Sequence, residues 1–373
     1  MSCPEYRELW KKYENGTITD AEQEKLENHI EACSICEAHL EELLTSTETP
    51  KRRLPPPSIQ VPFRKIKWKQ RLQIVFFTIL SLSILYGFSI FSTLLYNEFI
   101  NRSDAAGDAP QLAIQALMPN VQANGKGTNY KPFFRAHTTI NLQKEIGKRS
   151  VPFGTLEVDR SFTSFSTKRN WANNDSHKKV YFVHPNSGEQ AELQELSKET
   201  WHALEKLPEG TVSELAISFD QLYSLKDAEF ILWDTFGAQE NSPRAVWYAL
   251  HTGYEKKADS LYLSNFELFG FPHRIIGLNM EKEPESLEDK VIKMMEILSQ
   301  NHETVRKIGW LGTEDPQLSK RYEYVKKNGL KVYGVVVTGP TKELLKLQNS
   351  KSIRFASLGD VELWNWYKRP LPE

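Results

Sequence analysis

The chain is short of cysteine. Three are present among 373 residues, Cys3, Cys33 and Cys36, and the 337 residues after Cys36 hold none. No disulfide framework can hold that larger part together. It must fold on its own core, which about 270 residues can supply. Acidic residues are missing from 51–71, and charge of either sign is missing from Leu72 to Tyr96. Catalytic signatures are missing too: HExxH, GxSxG, a Walker-type loop and GxGxxG are all absent. His184, His202, His251, His273 and His302 are scattered without metal-ligand spacing. Asp259, His251 and the serines make a triad on paper only, because their spacing specifies nothing. VVVTGPTKELL reads as a strand, a turn and a helix capped by Thr341. We assign no catalytic residue and expect no enzyme.

What is present is unevenly spread. Residues 1–50 hold twelve Asp/Glu against four Lys/Arg, a net charge of −8, and residues 51–71 hold eight Lys/Arg, a net of +8. Their cancellation hides an acidic head and a basic collar inside an overall charge of −1.

The uncharged stretch LQIVFFTILSLSILYGFSIFSTLLY, residues 72–96, is long enough to cross a membrane. A helix of 25 residues rises about 37 Å against a hydrocarbon core of about 30 Å. A buried core helix and a cleaved signal peptide are the poorer readings, given the length and the seventy residues ahead of it. Arg64, Lys65, Lys67, Lys69 and Arg71 precede the span; Glu98, Arg102, Asp104 and Asp108 follow it. The positive side stays cytoplasmic, so residues 1–71 are expected inside and 97–373 outside the cell. Trp68 and Tyr96 suit the two interfaces, and the basic collar suits anionic membrane lipid. Pro55, Pro56 and Pro57 make residues 47–71 a semi-rigid, extended linker.

The head reads as helices. YRELWKKYE stops at Asn15–Gly16. Thr19 and Glu22 can form a capping box for a helix reaching about Ala32. Leu26, His29, Ile30 and Cys33 follow the i, i+3, i+4, i+7 rule, so His29 and Cys33 share one face. Cys36 opens a third helix, with Ser34 and Glu37 as its caps and Leu40, Leu43 and Leu44 turned inward. A unit this small needs a metal, a disulfide or a partner to fold. Zinc takes four N/S ligands in a tetrahedron. His29, Cys33 and Cys36 supply three, and Cys3 supplies the fourth by folding across. Ordinary thiols beside a surface histidine are the bland alternative, a Cys33–Cys36 redox pair is the rival, and His39 is a poor substitute for Cys3.

MSCPEY, then HIEACSIC, then a single span: this order resembles the zinc-binding anti-sigma factor family. In that family the HxxxCxxC ligands correspond to His29, Cys33 and Cys36, and the variable N-terminal ligand to Cys3. The resemblance covers about the first 45 residues and the topology. It implies a membrane-anchored regulator that holds an extracytoplasmic-function sigma factor away from RNA polymerase, without touching nucleic acid itself. The region after the span is similar to the sigma-factor-regulator type found with envelope-stress sigma factors, with SLGDVELWNWY as a diffuse match. A second small membrane co-regulator is a further partner this implies.

The expectation is therefore a multidomain membrane protein. It comprises a small all-α zinc-binding cytoplasmic head (1–46), the linker (47–71), one transmembrane helix (72–96), a Gly/Asn/Pro-bearing stalk (97–130) and an α/β or α+β extracytoplasmic domain (131–373), with two lobes dividing near 208. Strands are expected at 180–185, 211–219, 245–250 and 330–339, and helices at 191–207 and 286–308. The rival to an anti-sigma factor is a membrane-bound envelope enzyme or a scaffold with a regulatory zinc head.

Overall fold

A computed structural model describes residues 3–46, 63–96, 105–162, 164–172, 179–237, 242–255, 262–263, 267–278, 286–309 and 315–366. Most of the Pro-rich linker lies outside these. The chain forms two compact units, Met1–Phe77 and Thr78–Glu373, with the division inside one long helix.

The first unit begins with a 3-10 turn, Pro4–Tyr6, leading into α1, Arg7–Glu14. Gly16 at φ +67° ends that helix as its sequence requires. Helix α2, Asp20–Ala32, starts at the Thr19–Glu22 box, where the Thr19 N–H donates to the Glu22 carboxylate at 3.3 Å. Helix α3 is Ser34–Ser46. Cys33, not Ser34, caps α3: its carbonyl accepts the N–H groups of Cys36 and Glu37. Trp10, Leu26 and Cys36 are the buried centre, flanked by Leu40 and Leu43, whereas Leu44 points into solvent. Three buried side chains are far too few to offset the ordering of over forty residues.

Helix α4, Phe63–Leu95, carries the uncharged stretch; Lys67–Leu95 is long and apolar enough to cross a membrane. Its apolar side chains face outward from Leu72 to Phe88, the reverse of a soluble core helix.

The second unit departs from the expected stalk. Helix α5, Ala105–Leu117, and strand β1, Val121–Lys131, occupy that stretch. Leu112, Ala113, Ile114, Ala116 and Leu117 of α5 lie in the main core. A helix buried on every side shows no one-faced period, so its sequence looked irregular. Its polar residues are spent inside. The Gln115 amide donates to the Ile276 carbonyl at 2.7 Å and accepts the Ile276 N–H at 2.9 Å, and the Gln115 carbonyl accepts the Trp247 indole N–H at 2.7 Å.

Strands β1, β2 (Arg135–Ile146), β3 (Arg149–Ser161) and β4 (Ser164–Trp171) form an antiparallel meander in chain order. After α6, Gln190–Lys206, come β5 (Thr211–Tyr223), α7 (Leu225–Phe236), β6 (Arg244–Leu250) and β7 (Gly270–Pro272). Helices α8 (Leu287–Ser299), α9 (His302–Gly309) and α10 (Leu318–Asn328) lead to β8 (Val332–Pro340), α11 (Thr341–Leu344) and β9 (Ile353–Leu363). The second sheet runs β7-β6-β8-β5-β9, and its described pairings are all antiparallel. Sheet regions with helices thus fill the C-terminal part, in the α+β sense.

Four other expectations need correction. The region has no division near 208: α5 and the meander share one core with β5, β6 and β8. Lys144 of β2 reaches Glu214 of β5 at 2.9 Å and Asp360 of β9 at 3.1 Å, all three buried. The helix expected over 286–308 breaks at Gln300–Asn301, where both N–H groups turn back to Ile297 and Leu298. Phe182, Val183 and His184 are buried, but residues 180–185 lie outside the ladder, because the N–H groups of Tyr181 and Val183 donate to the hydroxyls of Ser357 and Ser218. Thr341 is no cap; its hydroxyl bonds those of Thr211 and Ser213.

Two hairpin tips of the meander meet the end of α4. The Phe133 N–H donates to the Ser89 hydroxyl at 2.8 Å, and the Phe134 N–H to that of Thr93 at 3.0 Å. Tyr96 packs edge-on to Phe134, with ring centroids 5.5 Å apart, beside Phe162. Phe133, Phe134 and Phe162 sit at φ +64°, +55° and +53°, a left-handed backbone that bulky residues seldom adopt.

Candidate functional site

Four residues singled out by sequence meet in the head. Cys3 precedes the 3-10 turn, His29 lies in the last turn of α2, Cys33 joins α2 to α3, and Cys36 is in the first turn of α3. Their ligand atoms all lie within 4.8 Å of one another. The Cys3 and Cys33 sulfurs are 3.5 Å apart, too far for a disulfide and close to the ~3.8 Å between two thiolates on one tetrahedral zinc. All three cysteines are free.

The donor set fits a zinc ion on a further observation. His29 Nε2 is buried and has no hydrogen-bond partner. Tyr6 stacks flat on the His29 ring, centroids 3.8 Å apart and planes 5° from parallel, which fixes the imidazole beside the thiols. His39 belongs elsewhere: its ring meets Trp10 edge-on, and its nitrogens approach Glu14 and Glu42 at 3.8 and 3.9 Å.

The thiols are electrostatically distinct. Hydrogen bonding to Cys33 pushes the Cys3 thiol up to about 11. Backbone N–H groups, that of Cys36 foremost, hold Cys33 below its ordinary value. A thiolate at the start of a helix is the form that ligates metal.

Around this cluster the head is acidic, and Ile35 and Leu44 are 58% and 69% exposed. Ile35, beside the ligand cluster, is an exposed apolar side chain of the kind that a partner covers.

Sequence spacing missed a second grouping. His184, His251 and Glu255 lie 67 and 71 positions apart at the extremes, yet their ligand atoms also fall within 4.8 Å of one another, and all three residues are buried. The fold brings them together: His251 and Glu255 follow β6, and His184 ends the segment held by Ser218 and Ser357, so no local spacing marks them. Of the other histidines, His202 faces Glu205 on the surface and His302 bonds the Ser319 hydroxyl.

A helix of membrane-crossing length, an antiparallel sheet domain and a thiol-rich helical head on one chain are the parts of an anchored regulator. Comparison with known proteins agrees with that class. Residues 62–151 match the family described as sigma factor regulator N-terminal, and residues 204–360 the family described as sigma factor regulator C-terminal. The chain is also similar to the probable anti-sigma-M factor YhdL of Bacillus subtilis (strain 168): 26% identical over 376 residues, covering 98% of this chain and 100% of that protein. No solved structure matches. The chain belongs to the anti-sigma factor family that carries these sigma-factor-regulator regions. Its role is regulatory and non-enzymatic. The head itself lies ahead of both matched regions.

Proposed function

We propose that the protein holds an extracytoplasmic-function sigma factor at the membrane through its N-terminal helices, folded around one zinc ion on Cys3, His29, Cys33 and Cys36. The name of the Bacillus relative makes a sigma factor of the M type the natural first candidate. The observation that carries the reading is His29 Nε2, buried without a partner beside three thiols. Zinc, when bound, supplies a tetrahedral cross-link among α2, α3 and the N-terminal segment. The chain's own residues do the rest. Tyr6 orients His29, Trp10 and Leu26 fill the space beneath, and the exposed Ile35 presents an apolar anchor within an acidic head. Sigma factors have basic DNA-binding surfaces, so an acidic rim favours encounter. The sigma factor is then withheld from polymerase; this protein does not bind DNA.

In this proposal residues 72–96 are a single transmembrane helix with the basic collar inside, and residues 131–373 respond to the state of the envelope. A second small membrane protein could bind alongside the helix to set that response.

The test uses the full chain in detergent with its sigma factor. Cys33→Ser removes a ligand and is expected to lose one equivalent of zinc together with sigma capture. Ile35→Asp is expected to keep the zinc and lose capture. Capture unchanged in both variants defeats the proposal.

A further inference from the structure

The buried trio His184, His251 and Glu255 sits at the open end of β6, far in sequence from the head's thiols. His251 follows β6 directly, Glu255 lies one turn beyond, and His184 ends the buried segment that crosses the sheet through Ser218 and Ser357. His184 Nε2 is 3.2 Å from His251 Nδ1, and Glu255 Oε2 is 2.9 Å from that same nitrogen. Two ligands on a tetrahedral zinc, each bonded at about 2.0–2.1 Å, stand about 3.3–3.4 Å apart. Two of the three donor separations thus approach the spacing of an ion's coordination shell, and the third lies within 4.8 Å.

The atoms behind them are held in place. The Glu255 Oε1 atom accepts the Thr252 N–H at 2.7 Å, the Thr252 hydroxyl, and Arg321 Nη1 at 3.4 Å. That turns Oε2 inward, where it is buried and has no hydrogen bond of regular geometry. On the far side of the His251 ring, Nε2 bonds the Tyr324 hydroxyl at 3.0 Å, which presents Nδ1 to the site. A ligating histidine is commonly oriented through its second nitrogen in this way. The Tyr333 hydroxyl is also buried without a partner, and its ring centroid is 5.5 Å from that of His184.

We infer that the sheet domain has its own metal site: His184 Nε2, His251 Nδ1 and Glu255 Oε2 bind one divalent transition metal, zinc foremost, and leave a fourth position open. Two imidazoles and one carboxylate are a borderline donor set that suits zinc and rejects calcium and magnesium. The ion staples the 179–184 segment to the end of β6 and, through Tyr324, to α10. This site is independent of the head, shares no ligand with it and contains no thiol. The competing arrangement is a proton shared among the same three groups. It is favoured by one long contact, the Asn186 N–H on His184 Nδ1 at 3.3 Å.

The experiment separates the two centres. A full chain with Cys3, Cys33 and Cys36 all changed to Ser and no polyhistidine tag is purified in detergent, equilibrated with Zn2+ alone and freed of loose metal. It is expected to retain one zinc per chain and to melt at a higher temperature with zinc than after chelation. Co2+ in its place is expected to give d–d bands with no thiolate charge-transfer band. His184→Gln combined with Glu255→Gln is expected to lose that equivalent and the zinc-dependent rise in melting. Tyr324→Phe, which keeps the ring, is expected to weaken zinc binding about 10–100-fold. A thiol-free chain that is folded yet holds no more zinc than the double variant overturns the site and leaves the shared proton. Because the thiol-free chain decides the matter by itself, a variant that fails to fold does not rescue the idea. Loss of zinc from the head alone would instead count against the proposed function.

Discussion

Lys144→Met should unlock the sheet domain. The Lys144 ammonium is 3% exposed and lies between Glu214, 0% exposed, and Asp360, 9% exposed. Glu214 also accepts the Asn120 amide at 2.8 Å and the Asp360 N–H at 3.1 Å. Methionine matches the length of the stem and leaves no cavity, so the effect is electrostatic. Two carboxylates are then left buried and facing each other. Removing one partner from a buried ion cluster costs about 3–5 kcal/mol. For a domain of this size that corresponds to a fall in melting temperature of about 6–10 °C, at about 2 °C per kcal/mol. Burial works against the Lys144 charge, but Glu214 and Asp360 outweigh it and leave its pKa raised above 10.5. A raised lysine contributes its full stability below the unfolded value and loses it only as pH climbs through the folded value. The deficit should therefore be constant from neutral pH to pH 9 and narrow only above 10.5. The assay is thermal unfolding of the full chain in detergent, followed by circular dichroism across that range. Pairing Lys144→Met with Glu214→Gln should recover part of the loss, since two carboxylates then no longer face each other. A single variant that melts within about 1 °C of wild type refutes the idea that this triad joins the meander to the second sheet.

Two other contacts in the sheet domain are open to the same kind of test. Gln115→Leu strands the Ile276 N–H and removes the grip of α5 on that loop, at about 1–3 kcal/mol for the unpaired donor; unchanged melting would show that the loop re-pairs with water. Ser89→Ala with Thr93→Val takes both acceptors from the hairpin tip. Amide exchange at Phe133 and Phe134 should then quicken at least tenfold, and equal protection would mean the tip is held by its aromatic packing alone.

The head and the long apolar helix were legible because each repeats one local rule. Leu26, His29, Ile30 and Cys33 obey a helical period, and residues 72–96 exclude charge outright. The grouping of Cys3 with His29, Cys33 and Cys36 was legible for a different reason, the scarcity of cysteine elsewhere. Helix α5 was not, because a helix enclosed on all sides has no polar face to mark its period. The 180–185 segment reads as a strand by composition, but its N–H groups found hydroxyls instead of carbonyls. His184, His251 and Glu255 meet only when a loop segment docks on the second sheet, and no local pattern marks that docking. Lys144, Glu214 and Asp360 were hidden likewise, each looking like an ordinary surface charge until three strands converge.

The clasp between the hairpin tip and the long apolar helix has a mechanical consequence. Ser89 and Thr93 are one helical turn apart, so the two bonds grip the helix at two heights on a single side. A grip at one height would let the helix pivot, and a grip on opposite sides would let it slide without turning. Two bonds on one side forbid both unless they break. Torque on the meander therefore reaches the helix directly at Ser89 and Thr93.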